Sequence, residues 1–259
     1  MNYWTKLSVE YAAQKSYLDD LFRVYPTIPE GIRDIDEELW KNIETSFKLR
    51  DSSQLIKELL KLDLFPIKDS YISFLRRYPK SIEINPKTIN RLGGILYSMG
   101  LDEIFNKSSL PKETNRQMEP KFQEWINKGF LGFELLSETE FLDTNEDAIL
   151  KGNDSKLAKF AKEQLHYDEN KGLDFIGRFN NKYVVGEAKF LTDFGGHQNA
   201  QFRDATTLLN NDNIDAIKIA ILDGVLYIEG KNKMYQYLEN NSDEIILSSL
   251  VLREFLYSL

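Results

Sequence analysis

The sequence of 259 residues contains no cysteine and only two histidines, His166 and His197. The lack of cysteine excludes disulfide bonds and thiolate zinc sites, and two histidines argue against a histidine-based zinc site. No apolar run approaches the roughly 20 residues of a membrane-spanning helix, and the first residues lack the apolar segment of a secretory signal. These absences predict a cytoplasmic protein that does not associate with a membrane.

Nucleotide-binding motifs are also missing. The sequence has neither a P-loop nor the glycine fingerprint of a Rossmann fold, so we expect no nucleotide cofactor. The net charge of −8 argues against a general nucleic-acid coat protein, which is usually basic. It does not exclude a nuclease, because only the surface that contacts phosphates needs to be basic.

Two regions with different apolar patterns follow one another along the chain. Residues 1 to about 110 show the apolar spacing of amphipathic helices, interrupted by prolines. A polar stretch at 106–118 then marks a boundary. We therefore expect an all-helical N-terminal region over residues 1–110 and a second domain over residues 111–259.

The second region alternates between helical and strand patterns, which predicts an α/β (α+β) fold with a mixed central sheet flanked by helices. Helices are expected at Pro120–Asn127, Asp154–Leu165 and His197–Asn210, and two more close the chain. Strands are expected at Phe130–Leu136, Leu173–Phe179, Tyr183–Phe190, Ala216–Leu222 and Val225–Ile228.

Asn180-Asn181 separates two of these strands, and asparagine tolerates the left-handed backbone of tight hairpin turns. A two-residue loop pairs Phe179 with Lys182, and the same register places Asp174 opposite Glu187. Directly opposed side chains have Cβ atoms about 4.5–5.5 Å apart. Lys189 lies two residues beyond Glu187 and therefore on the same face.

Two opposed carboxylates destabilise a sheet unless a cation neutralises them. Carboxylate oxygens suit Mg²⁺, which needs only one or two protein carboxylates and takes its other ligands from water and substrate phosphate. The ammonium group of Lys189 can orient an attacking water or stabilise charge on a phosphate. The arrangement is typical of metal-assisted phosphodiester hydrolysis. The other interpretation is an exposed strand with an ordinary solvated Glu-Lys face.

Asp174 before a hairpin, followed by Glu187-Ala188-Lys189 at the end of a strand, resembles the motif of the PD-(D/E)XK nucleases. Leu173 stands where that motif has proline. The segments that follow, Thr192–Phe202 and Ile221–Ile228, are similar to the type II restriction endonuclease branch. The resemblance covers about residues 115–230.

The resemblance implies a restriction-endonuclease-like core, Mg²⁺ dependence and cleavage of double-stranded DNA. It implies that Asp174 and Glu187 bind the metal, that the Ala188 carbonyl also contributes, and that Lys189 acts on the water. Glu119 resembles a further acidic residue that many of these nucleases carry on the helix before the sheet, with Glu124 as a weaker alternative. An acid at a helix N-terminus is equally explained by the helix dipole.

The segment after the motif is a candidate DNA contact. Gly195 and Gly196 allow close approach of a phosphate, and the following helix N-terminus can bind it. Side chains in and after this turn offer donors to phosphates or base edges. The residues predicted to contact DNA are Gly196, His197, Gln198, Asn199, Gln201 and Arg203. The other interpretation is a polar, solvated first turn.

We therefore expect a type II restriction endonuclease that acts as a homodimer, because two-fold symmetric DNA sites favour two-fold symmetric proteins. The N-terminal helices would serve DNA recognition, dimerisation or both. The alternatives are a repair or recombination nuclease with the same core and a non-catalytic DNA-binding module.

Overall fold

The computed structural model describes residues 1–26, 31, 33–111 and 118–259, with Glu119 described only in its backbone. The chain forms two compact units: Met1–Thr27 with Glu113–Leu259, and Ile28–Lys112. The predicted division at residue 110 assigns residues 1–27 to the helical region, whereas the structure groups them with the sheet. They pack with the sheet instead, and the Thr5 hydroxyl, for example, donates to the carbonyl of Ile246 over 2.8 Å.

The first helices of the sheet unit are α1 (Tyr3–Ala12) and α2 (Tyr17–Val24). The apolar stripe predicted across this stretch is interrupted because Ser16 adopts the left-handed region, with φ of 76°. Leu21 and Val24 of α2 nevertheless point into the main core, as an amphipathic stripe requires.

The second unit is helical, as the spacing of its apolar residues predicts. Its helices are α3 (Glu37–Lys48), α4 (Ser52–Leu59), α5 (Ile72–Arg77), α6 (Ser81–Ile84), α7 (Pro86–Met99) and α8 (Leu101–Ser108). The Asp36 and Asp51 side chains cap α3 and α4 by accepting backbone N–H groups. A core of its own, which includes Ile43, Leu55 and Leu92, holds the unit together.

The sheet unit continues with α9 (Met118–Asn127), β1 (Glu134–Leu136), α10 (Glu138–Asp143), β2 (Ala148–Leu150), α11 (Asp154–Gln164), β3 (Phe175–Phe179), β4 (Lys182–Leu191), α12 (Gly196–Leu209), β5 (Ile217–Gly224), α13 (Lys233–Asn240), β6 (Ile245–Leu247) and α14 (Ser249–Tyr257). The six strands lie in the order β1-β2-β3-β4-β5-β6. The β2–β3 and β3–β4 pairs are antiparallel and the others are parallel. The predicted mixed sheet flanked by helices is confirmed. In the described part of the chain, no helix combines the length and apolarity needed to cross a bilayer.

Several predicted boundaries are wrong. Only the last three residues of the predicted strand Phe130–Leu136 form β1, and β2 and β6 were not predicted because three-residue strands are too short to show a period. The predicted strand Val225–Ile228 is a 3₁₀ turn over Val225–Tyr227. Gly224 adopts a φ of 99° there, so the backbone leaves the strand direction.

The β3–β4 hairpin forms as predicted. Asn180 and Asn181 both have positive φ, 48° and 60°, which a two-residue hairpin turn requires. The register runs from Phe179 opposite Lys182 to Phe175 opposite Gly186. The predicted pairing of Asp174 with Glu187 is wrong, because the N–H of Asp174 donates to the carbonyl of Gly186 and the regular register ends there. Because β4 pairs with β3 on one side and β5 on the other, it is a central strand.

The two faces of the sheet belong to two apolar clusters. Phe175, Val184 and Ala188 face the main core, whereas Ile176 and Val185 pack in a second cluster with residues of α11. Side chains alternate along a strand, so Glu187 shares the face of Val185. The ends of the central strands therefore present polar groups beside α11.

A buried acid fixes the end of β5. Asp223 is fully buried and accepts hydrogen bonds from the hydroxyls of Tyr25 (2.8 Å) and Ser248 (2.5 Å) and from the backbone N–H of Ser249 (3.2 Å). Burial raises the pKa of Asp223, although these hydrogen bonds lower it in part. The same carboxylate joins β5 to α14 and to the segment after α2.

We expect the pH dependence of stability to change in Asp223→Asn. An acid whose folded pKa is raised stabilises the fold while it is protonated, and that contribution is lost as pH rises from the unfolded value of about 3.9 through the folded value. Urea unfolding across this range should show the wild type losing free energy of unfolding relative to the variant. The exposed Asp243→Asn is the control and should follow the wild type; an Asp223→Asn curve parallel to the wild type would contradict the expectation.

Candidate active site

Asp174 lies directly before β3, at an irregular point of the hairpin. Its N–H donates to the carbonyl of Gly186 over 3.0 Å, although the Cα partner of Gly186 is Phe175. Asp174 and Phe175 therefore both lie opposite Gly186, and two residues opposite one define a β-bulge. A Cβ on Gly186 would lie 3.3 Å from the Cβ of Phe175 and 3.1 Å from Ile219, so glycine suits this close approach.

The carboxylate of Asp174 is held against the end of β4. Oδ2 accepts the N–H of Ala188 over 2.8 Å and lies 3.4 Å from Nζ of Lys189. The backbone carbonyl of Asp174 accepts the side-chain amide of Gln123, on α9, over 2.6 Å. Asp174 is only 3% exposed, so its orientation is fixed by these contacts and by packing.

Glu187 is equally buried, at 3% exposure, and has two lysine partners. Its Oε1 lies 2.8 Å from Nζ of Lys189 and 3.0 Å from Nζ of Lys171. Lys171 also donates to the backbone carbonyl of Asp204, on α12, over 2.8 Å. The ammonium group of Lys189 therefore contacts both carboxylates, and the structure brings Asp174, Glu187 and Lys189 together.

The lysines explain how two acids are tolerated inside the fold. Buried charges need paired and hydrogen-bonded partners, and here two ammonium groups accompany two carboxylates. Burial, followed by the negative charges of Glu169 and Glu187, raises the pKa of the nearby Tyr167, so its phenol remains neutral at pH 7. The site is a buried polar cluster in which positive and negative groups balance.

The residues of the site fit a hard divalent cation. Asp174 and Glu187 offer carboxylate oxygens, and two are enough for Mg²⁺ when water and phosphate supply the rest. No group of three or more His, Cys, Asp or Glu side chains is placed to bind one ion in the residues that the structure describes. Among the described residues, the candidate donor set is these two acids.

The acids predicted on α9 are not part of this described cluster. Glu119 falls in α9, but its side chain lies outside the described part of the structure, and its role stays a prediction. Glu124 is exposed on the same helix. Sequence reasoning missed Lys171 and Gln123. The available signals were the position of Lys171 three residues before Asp174 and that of Gln123 on the helix already singled out.

The segment after β4 separates into supporting and exposed residues. Gln198 is buried, and its Oε1 accepts the N–H of Thr192 over 3.1 Å. The amide of Asn199 donates to the carbonyls of Phe194 (2.7 Å) and Gly195 (3.1 Å). These two side chains hold the loop and the start of α12, which satisfies local backbone groups.

The remaining predicted DNA contacts are accessible. Gly196, His197 and Arg203 are exposed. Gln201 is half-buried and lines a small cleft together with Lys189, Ala188 and Phe190. Of these residues, Gln201 is the one that shares a cleft with Lys189 in the described part of the structure.

Comparison with known proteins identifies a family. The family model of the Tsp45I type II restriction enzyme matches residues 2–259. The match includes both compact units and the whole candidate active site. No match was found among curated proteins or among solved structures.

We expect a strong energetic coupling between Lys189 and Glu187. A double-mutant cycle measures this coupling from the wild type, Lys189→Met, Glu187→Gln and the double variant. The free energy of unfolding of each protein is determined by urea denaturation in the presence of EDTA. Because Glu187 is buried and the side chain of Lys189 is only 15% exposed, the coupling should be about 1–3 kcal/mol. The control cycle uses Lys159 and Glu163, an exposed pair 3.7 Å apart, for which about 0.5 kcal/mol or less is expected. Equal coupling in the two cycles would mean that Lys189 does not stabilise the buried acid.

Proposed function

Because the chain belongs to the Tsp45I type II restriction enzyme family, we propose that it hydrolyses both strands of a short, specific double-stranded DNA sequence in a Mg²⁺-dependent reaction. The family membership confirms the predicted type II restriction endonuclease. The observation that carries the proposed site is the contact of the Lys189 ammonium with the carboxylates of both Asp174 and Glu187.

Asp174, Glu187 and the carbonyl of Ala188 would hold the metal. The chemistry of this donor set and the spacing of the motif support assignment to the PD-(D/E)XK nucleases. Bound Mg²⁺ would supply Lewis-acid polarisation of the scissile phosphate and a more acidic water. The hydrogen bond from the Ala188 N–H fixes the Asp174 carboxylate, so one of its oxygens is already oriented.

Lys189 acts on the attacking water and on phosphate charge. Its ammonium group has three donors, so it can keep a carboxylate contact while donating to a water or a phosphate oxygen. Lys171 balances Glu187 from the other side and maintains its orientation. Glu119 is proposed as a further acidic residue of the site, on the resemblance of its sequence position alone.

DNA contacts are assigned to the start of α12. The exposed Gly196 and His197, with Gln201 and Arg203, would contact the duplex, and Gln198 and Asn199 would hold the turn that presents them. We propose a homodimer, since one active site faces each strand of a two-fold symmetric sequence. The helical unit would serve recognition, dimerisation or both, and the cytoplasm is the expected location.

Asp174→Asn and Glu187→Gln should each abolish cleavage of phage DNA in Mg²⁺ while binding of a duplex persists. The wild type should produce discrete fragments in Mg²⁺ and none in EDTA, as read by gel electrophoresis and end sequencing. The exposed Glu239→Gln is the matched control and should cut normally. Random nicking by the wild type would favour the repair alternative, and wild-type cutting by Asp174→Asn would remove the proposed site.

Lys189→Met should also lose cleavage but retain binding of Ca²⁺, a non-catalytic substitute, because an ammonium group cannot be a metal ligand. Isothermal titration calorimetry measures this directly. Loss of Ca²⁺ binding together with cleavage would assign Lys189 a structural role.

Arg203→Ala should weaken binding to all duplex sequences and reduce the slope of log affinity against log salt by roughly 0.9, the value for one phosphate contact. If Arg203 reads a base edge instead, the loss should be about 1–3 kcal/mol and confined to the specific sequence. Arg23→Ala is the control, because Arg23 is largely exposed and pairs with its neighbour Asp20. Unchanged affinity on both duplexes would exclude a DNA contact at Arg203.

A further inference from the structure

Two surface cavities lie along α11 and have Lys159 in common, and together they are called the lysine cleft. The larger cavity, with a volume of about 670 Å³, is also lined by Gln123, Lys151 and Lys156. The smaller is lined by Lys162, Lys171 and Gly172 among others. Both cavities belong to the sheet unit.

The lining of this cleft is basic although the chain is acidic. Five lysines line the two cavities, against the two acidic residues Glu138 and Asp154, in a protein with a net charge of −8. A local excess of positive charge attracts polyanions even when the overall charge is negative. The cleft therefore has the charge expected of a surface that contacts phosphates.

Each of the two cavities is lined by a residue that contacts Asp174 or Glu187. Lys171, in the smaller cavity, lies 3.0 Å from Glu187. Gln123, in the larger cavity, donates to the backbone carbonyl of Asp174. A polyanion bound in the cleft would therefore extend towards Asp174 and Glu187.

The spacing of the lysines suits a phosphate backbone. Lys156, Lys159 and Lys162 recur every third residue on α11, about 4.5 Å apart along the axis, so they span about 9 Å. One strand of a duplex carries a charge about every 3.4 Å along its axis. The row can therefore face about three successive phosphates.

Existing contacts leave these lysines accessible. Lys159 pairs with Glu163 at 3.7 Å, and their side chains are 68% and 49% exposed. Lys162 donates to the side chain of Asn170 over 3.0 Å at an exposed position. Such surface contacts are weak, so a phosphate can replace them at little cost.

We propose that this lysine cleft, formed by Lys151, Lys156, Lys159, Lys162 and Lys171, binds the phosphodiester backbone of the DNA strand that leads into the active site. This inference rests on the proposed function, because that function identifies the polyanion as DNA. It adds a contact surface beyond the start of α12.

The test compares two triple variants that lose the same charge. The cleft variant carries Lys151→Gln, Lys156→Gln and Lys159→Gln. The control variant carries Lys6→Gln, Lys231→Gln and Lys233→Gln; these three lysines are exposed and lie in the sheet unit outside the cleft. Binding to a random-sequence duplex is measured in EDTA by fluorescence anisotropy over a salt series. Lys171 is left intact because it contacts Glu187.

For each phosphate that a substituted lysine no longer binds, the cleft variant should show about tenfold weaker binding at 0.05–0.1 M salt, and its salt slope should fall by about 0.9. The control should stay near the wild type. Unchanged binding by the cleft variant, or equal weakening of both variants, would overturn the proposal. Thermal unfolding of both variants separates a binding loss from a folding defect.

Failure of the proposed function is read separately, as the absence of Mg²⁺-dependent fragments from the wild type. The binding measurement contains no metal and requires no cleavage. It can therefore contradict the proposed DNA binding by the cleft even if the protein is a nuclease. It can also support DNA binding by the cleft if the wild type does not cleave DNA.

Discussion

The contact of one ammonium group with two buried carboxylates is the interaction on which the candidate site depends. Lys189 lies 2.8 Å from Glu187 and 3.4 Å from Asp174, inside a sheet where neither acid would be stable alone. A divalent cation would neutralise the same two carboxylates. A bound metal and the Lys189 ammonium would therefore both reduce the cost of burying these negative charges. Under the proposed function, a bound cation frees donors of Lys189 for water and phosphate.

The backbone around this contact explains why it forms. A tight hairpin brings the end of β4 back to Asp174, where the bulge opposite Gly186 lies, and the Asp174 carboxylate accepts the N–H of Ala188. The end of β4 pairs with β5 as far as Leu191, which holds Glu187 and Lys189 in the sheet. The helices contribute from outside the sheet, with Gln123 on the carbonyl of Asp174 and Asp204 on Lys171.

The distribution of charge reconciles an acidic chain with a polyanionic substrate. The two acids of the site are buried, and lysines accompany them on the α11 side, where the proposed cleft begins. An acidic remainder of the surface would disfavour DNA elsewhere on the molecule. Binding would then be concentrated at the face that carries the chemistry.

Local sequence determined the hairpin and identified most of the candidate site. Asn180-Asn181 specifies a two-residue turn, and the two-residue period of strands then places Glu187 and Lys189 on one face, near the strand end that carries Asp174, without knowledge of the rest of the fold. The amphipathic spacing of the helical region was similarly sufficient, because a helical period is a local property.

Tertiary structure decided what no local pattern encodes. The bulge at Asp174, the placement of Lys171 and Gln123 against the carboxylates, and the packing of the first helices on the sheet all depend on contacts between distant segments. Strands β2 and β6 exist because their neighbours offer hydrogen bonds, and three residues show no period. Gln198 was predicted as a DNA contact from its position, yet its burial and its bond to Thr192 depend on how α12 packs against β4 and β5.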